Sequence, residues 1–323
     1  MGCQTSSLGR GDHGRYLVLW PKLRIGTRPS RLARVQVEMV QEALHRQVPD
    51  LQGNIEIVVF DTPGDRNRSS SLEELGGRGV FTDNLDALVA SGEIDCVVHA
   101  MKDMAPTMQA GMVIGATLQR EDPREVLVAP NFKSLDSMPS GAVFGSSSIR
   151  RRALLRRLRP DLQFSLLRGN VEERVAQMEN GIFDGTILAY AGLARLDLLA
   201  HAKEIFPLNI LPPDPAQGAI GVVCHSENFM ARRALQLIDH APTSAEVTAE
   251  RALLRSLPQP DALALGATAR AKGNRLELSA LLVSEDGTQE WPGLISGLVD
   301  DAESLGLRLG GELREPAQRL LSA

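Results

Sequence analysis

The chain has 323 residues, 43% of them hydrophobic, which is enough for two or three domains with cores of their own. A formal net charge of −5 excludes the broadly basic surface that binds nucleic acid or an anionic membrane, and no apolar run approaches the ~20 residues that span a bilayer. Three cysteines, Cys3, Cys96 and Cys224, are odd in number and far apart, so neither a disulfide framework nor a zinc site is expected and a reducing cytoplasm is the simplest location.

Residues 1–20 read as a disordered tail. From Leu23 the pattern alternates. "LRIGT" is a strand, and Ser30 can cap a helix whose residues Leu32, Val35, Met39, Val40, Ala43 and Leu44 share one face. "NIEIVVF" is a strand, "VFTDNLDALVAS" a helix and "DCVVHAM" a strand. Apolar strands between amphipathic helices predict a parallel sheet covered on both faces.

After the polar link "QREDPRE" a second unit repeats this style, with strands "AVFGS", "QFSLL" and "GTILAY" each followed by a helix. "IGVVC" then reads as a further strand and "ENFMARRALQLIDH" as a helix. From about Ala241 come a helix, an antiparallel pair joined at "GN" and a closing helix. The expected fold is α/β: residues 21–119 with 218–240 as one domain, 120–217 as the second, and 241–323 as a small α+β third domain.

Such sheets bind ligands beyond the carboxyl ends of their strands, and Lys102 with Asp103 stands at one such end. A lone Lys–Asp pair is most often a surface ion pair, so its company decides. Arg28 and Ser30 follow the first strand; Ser146, Ser147, Ser148, Arg150 and Arg151 follow "AVFG"; Arg168 and Arg174 flank "GNVEE"; Arg195 closes "AGLAR". Only five of the 35 basic residues are lysine, and guanidinium groups suit bidentate capture of carboxylate or phosphate. Each arginine alone reads as solvated surface. Together they predict a cleft between the two α/β domains for a substrate with several anionic groups.

A carboxylate among these cations needs a positive charge or a donor to face, so Asp103 is the catalytic candidate. No Ser/His/Asp pattern, HExxH, Walker A or GxGxxG after a strand is present, and no metal site is expected.

The segments "LRIGTRPSRLA", "TPGD", "GGRGVFTDNLD", "VHAMKDMAP", "REDPREVLV", "GSSSIRRR", "LRGNVEERV", "ILAYAGLARL", "PAQGAIG" and "TAERALL" together resemble the porphobilinogen deaminase, or hydroxymethylbilane synthase, family. The resemblance runs in order from about residue 23 to 256. It implies two domains like those of periplasmic binding proteins plus a third. It also implies a cytoplasmic transferase of porphyrin and haem biosynthesis that condenses porphobilinogen units with loss of ammonia. The pyrrole substrate carries carboxylate side chains; no nucleic acid or membrane partner and a monomer are expected. By resemblance, Asp103 stabilises the cationic azafulvene formed as ammonia leaves. Arg28, Ser30, Lys102, Ser148, Arg150, Arg151, Arg168, Arg174, Arg195 and Gln217 would bind substrate or cofactor, and Arg78 would lie on a mobile loop where the family usually has lysine.

The family joins a dipyrromethane cofactor to a cysteine, and the ungapped register from "TAERALL" puts Asp261 there. Covalent attachment is therefore not expected, since an aspartyl ester would be weak and prone to hydrolysis. Glu74, where lysine is common, and the approach "PDPAQGA", where a glycine-containing turn is usual, depart as well. Three readings result: an enzyme condensing pyrroles without a covalent primer, a non-catalytic polycarboxylate-binding or regulatory paralogue, or a working hydroxymethylbilane synthase with a noncovalent primer or an unexpected anchor.

Overall fold

The computed structural model describes residues 9–10, 16–17, 20–62, 78–79 and 82–322. Glu74 and Cys3 lie outside the described residues, as does most of the "GGRGVF" segment. Within the expected tail, β1 (Gly9–Arg10) pairs antiparallel with β2 (Tyr16–Leu17), and Trp20 packs against the first core with Arg233 5.8 Å above its ring.

β3 (Leu23–Thr27) leads into α1 (Arg31–Gln47), which Ser30 caps by accepting from the Ala33 N–H at 3.3 Å. The buried face of α1 is Ala33, Gln36, Val37, Val40 and Leu44, with Met39 and Ala43 packed against the same core; Leu32 and Val35 sit beside it. The polar Gln36 in the buried stripe displaced the periodicity reading.

β4 (Ile55–Val59), α2 (Asp83–Ala90), β5 (Cys96–Ala100) and β6 (Met112–Thr117) follow. The chain then crosses to β7 (Glu125–Val128), β8 (Val143–Gly145), α3 (Ile149–Leu158), β9 (Gln163–Ser165), α4 (Val171–Glu179), β10 (Thr186–Ala189), α5 (Tyr190–Arg195) and β11 (Glu204–Ile205). It returns to β12 (Ile220–His225) and α6 (Phe229–Gln236).

The first sheet has the order β4-β3-β5-β12-β6. β3 is parallel to β4 and β5, but β12 runs antiparallel to β5 and β6, which corrects the all-parallel expectation. β12 belongs to the return crossing and enters the sheet from its opposite end. In the second unit β7 pairs antiparallel with β10 and β11, while β8 and β9 are parallel. Both sheets are filled on each side by Leu, Ile and Val with little water contact.

The last unit places α7 (Ala241–Ser256) and α8 (Ala302–Ser322) against an antiparallel sheet of β13 (Ala264–Lys272), β14 (Arg275–Val283) and β15 (Glu290–Leu298). Gly273 and Asn274 form the two-residue hairpin loop between β13 and β14, with Gly273 at φ +60. α7 and α8 approach closely at Gly306, where an added Cβ would lie 2.2 Å from the Ala249 carbonyl oxygen.

Glu250 of α7 is fully buried and joins this unit to both crossings. It takes Arg120 through two hydrogen bonds, at 2.6 and 3.0 Å, and accepts from the Ala269 N–H at 2.6 Å and from the Ala216 N–H. Ala216 is held at φ +64, a left-handed conformation that costs an alanine about 1–2 kcal/mol. Glu250 therefore offsets local strain one residue before Gln217.

Candidate active site

Lys102 and Asp103 occupy a single helical turn, Met101–Asp103, at the carboxyl end of the buried β5. The Asp103 carbonyl accepts from the Gly79 N–H at 3.0 Å and the Lys102 carbonyl from Arg78 Nε at 3.2 Å. Lys102 Nζ donates to Gln217 Oε1 at 3.1 Å. Burial pushes the Lys102 ammonium below its usual value and Arg151 adds to the effect, while Asp103, Glu125 and Asp214 pull it back.

Gln217 is fully buried, and its amide also donates to the Pro123 carbonyl at 2.8 Å. Both ends of that side chain are engaged by protein, so it positions Lys102 within the site. Arg195 is held near the same crossing by a 2.6 Å bond to the Gly218 carbonyl. Burial lowers its guanidinium to about 10, with Glu121 opposing. Gly218 has φ +86, and a Cβ there would meet the Glu121 carbonyl oxygen at 2.5 Å.

On the second unit Ser148 caps α3, accepting from the Arg151 N–H at 3.4 Å. Arg150 and Arg151 converge on Glu125, which is fully buried in β7. Arg151 binds both its oxygens, at 3.0 and 2.8 Å; Arg150 shares one of them and donates to the Pro212 carbonyl at 2.7 Å. Burial opposes the Glu125 charge, yet Arg151 and Arg150 outweigh it and hold the carboxyl far below its usual range. The pair plus Glu125 thus presents one net positive charge to the cleft, not two.

Arg174 on α4 donates to the Gly169 carbonyl at 2.9 Å. Burial, then Arg151 and Arg168, push its guanidinium down to about 10, while Asp103 and Glu173 partly compensate. Arg168 follows β9 and is also lowered by burial. Arg151 and Arg168 therefore crowd Arg174, which is within electrostatic reach of Asp103. Ser30 and Arg28 stand between β3 and α1; the Ser30 hydroxyl is engaged in its cap.

Arg78 and Asp261 meet although 183 residues separate them. Asp261 accepts from the Arg78 backbone N–H at 3.1 Å and from its guanidinium, whose other terminal nitrogen lies 2.5 Å from Asp214. Burial would lower the Arg78 guanidinium, but Asp214 and Asp261 outweigh it and raise it above its ordinary value. Burial likewise opposes the Asp214 charge, and Arg78, Arg150 and Lys102 overcome it to hold that carboxyl low.

Sequence reasoning missed Glu125 and Asp214 as members of this site. Both stand in segments already singled out, "REDPREVLV" and "PDPAQGA", and a carboxylate in an arginine-rich cleft was the available signal.

Two α/β units, a cluster of cations in which the Asp103, Glu125 and Asp214 carboxylates are set, and a third unit tied to that cluster through Asp261 define a two-lobed protein with an anion-binding site. The family models of "Porphobilinogen deaminase, dipyromethane cofactor binding domain" and "Porphobilinogen deaminase, C-terminal domain" match residues 23–233 and 244–315. The protein named porphobilinogen deaminase in Nostoc sp. is 38% identical over 304 residues, 93% of this chain and 94% of the relative. That of Synechococcus elongatus is 36% identical over 295 residues, 90% of this chain and 92% of the relative. The chain belongs to the porphobilinogen deaminase family. Among solved structures, the methionine-binding protein MetQ aligns over 67% of this chain and 89% of its own, with 10% identity and a TM-score of 0.43. Among the described residues no helix is long and apolar enough to cross a membrane.

Proposed function

We propose that this chain is a transferase of tetrapyrrole biosynthesis that condenses porphobilinogen-type pyrroles with loss of ammonia and does so without a cysteine-linked primer. The observation that carries the reading is Asp103, a carboxylate on a rigid turn at the end of β5, within electrostatic reach of Lys102 and of Arg174 on the other lobe. Arg151, Arg168 and Arg174 hold substrate carboxylates, and Lys102, steadied by Gln217, adds a point charge. With the carboxylates held there, the Asp103 carboxylate accepts the pyrrole N–H and stabilises the positive charge that develops as the carbon–nitrogen bond to ammonia breaks.

The carboxylates of the family's dipyrromethane suit the same cationic group, and when bound that cofactor supplies a pyrrole carbon nucleophile. Its thioether attachment does not suit position 261, where an ion-paired aspartate stands. Buried, unpaired Cys96 and Cys224 accord with a reducing cytoplasm, and we read the chain as a monomer acting on a small pyrrole, with no nucleic-acid partner.

The test is ammonia release from porphobilinogen by the purified chain beside Asp103→Asn. Release by the native chain that falls at least 100-fold in the variant, with substrate binding kept, is expected for an electrostatic stabiliser worth about 3 kcal/mol. A folded native chain that binds porphobilinogen and releases nothing would instead be a polycarboxylate-binding protein.

A further inference from the structure

Asp261 has a bonding role at the position where the resemblance puts an anchor. Its carboxylate takes both the backbone N–H and the guanidinium of Arg78. Arg78 and Asp261 stand where the resemblance puts lysine and cysteine, Asp214 lies in the departing approach "PDPAQGA", and in space the three form one ion-paired constellation. A carboxylate so engaged is a poor nucleophile, and its ester with a pyrrolylmethyl group would be lost to water.

The thiols among the described residues offer no substitute. Cys96 and Cys224 are Cα partners across β5 and β12 and have no exposed surface. Burial pushes the Cys96 thiol well up and the Cys224 thiol to about 11, so neither supplies a thiolate.

Resting on the pyrrole-condensing reading above, we infer that the acceptor starting each chain is a free porphobilinogen and that the condensed product keeps this acceptor's aminomethyl group. The donor pyrrole breaks its CH2–N bond, and ammonia leaves with the electron pair. The resulting cation is attacked by the unsubstituted α-carbon of the acceptor; a carbon–carbon bond forms and the α-carbon proton passes to solvent. Two porphobilinogens give one aminomethyl dipyrrole and one ammonia, with no oxidant or reductant. Each further pyrrole that adds as a donor releases one more ammonia. Ammonia therefore always falls one short of the pyrroles in each product molecule. An anchored chain has no such deficit, because every pyrrole enters it as a donor.

The experiment incubates the full chain with porphobilinogen and reads ammonia released, porphobilinogen consumed, primary amine in the isolated product and the intact mass of the protein. The expected result is an ammonia-to-porphobilinogen ratio below one, an amine-bearing product and an unchanged protein mass. A ratio of one, or a pyrrole covalently on the protein, including on Cys3, overturns the inference and leaves the condensing activity standing. Porphobilinogen left intact by a folded chain overturns the activity itself and this inference with it.

Discussion

Asp261 binds Arg78 at two points, the backbone N–H at 3.1 Å and the guanidinium, so a turn of the C-terminal unit is tied to the residue whose Nε also holds the Lys102 carbonyl. The Arg78 side chain is 16% exposed, against 25% for Asp214 and 30% for Asp261. Hydrogen bonds to charged groups contribute about 1.5–3 kcal/mol, less where water reaches them.

Asp261→Ala should accordingly destabilise the protein by about 1–2 kcal/mol. In a double-mutant cycle with Arg78→Met, denaturant unfolding should give a coupling of about 1 kcal/mol. Strictly additive losses would mean the two side chains do not interact in solution.

Glu125 carries a larger consequence. Its replacement by glutamine leaves Arg150 and Arg151 buried with no carboxylate between them, which costs about 3–5 kcal/mol. A steep fall in melting temperature and in soluble yield is expected for Glu125→Gln; a melting temperature equal to the native one would contradict the ion triad.

Asp214 gives a pH signature. Its folded value lies below the ordinary aspartate range, so the unfolded chain binds this proton first as pH falls. Its stabilisation is complete above that ordinary range and disappears as pH drops through the lower folded value. Unfolding free energies of native protein and Asp214→Asn should thus differ at neutral pH and converge in acid. A gap that stays constant into acid would refute the linkage.

Arg174 trades stability against binding. At about 10 its guanidinium is still charged at neutral pH, crowded by burial, Arg151 and Arg168. Arg174→Gln should keep or raise the melting temperature of the unliganded protein while weakening porphobilinogen binding roughly 10-fold or more, the loss of about 1.5 kcal/mol of charge-assisted contact. Calorimetric titration checks it. A destabilised variant with native affinity would remove Arg174 from the site.

Local signals were legible in the sequence. Ser30 as a cap and Gly273–Asn274 as a hairpin depend on near neighbours, and apolar blocks between amphipathic helices revealed both α/β units. The direction of β12 was not, because a strand buried on both faces reads the same whichever way it runs. β6 and β7 were overlooked as short apolar runs without alternation. In the site, arginines announced themselves by position, yet the neutralising Glu125 lies 25 and 26 residues from its partners. Arg78 and Asp261 were each readable as departures; only folding across 183 residues makes them a pair.

Glu250 bears on how such a chain can be recombined. Its oxygens serve Arg120 on the outward crossing, the Ala216 N–H on the return crossing and the Ala269 N–H in β13 of its own unit. Arg120 in turn holds the Gln217 carbonyl at 2.8 Å, and Gln217 holds Lys102. A chimaera cut between residues 240 and 241 that imports a C-terminal segment without this glutamate would strand a buried guanidinium and release a left-handed alanine two contacts from Lys102. The third unit is grafted into the joint between the lobes, and a replacement for it has to bring its own partner for Arg120 and Ala216.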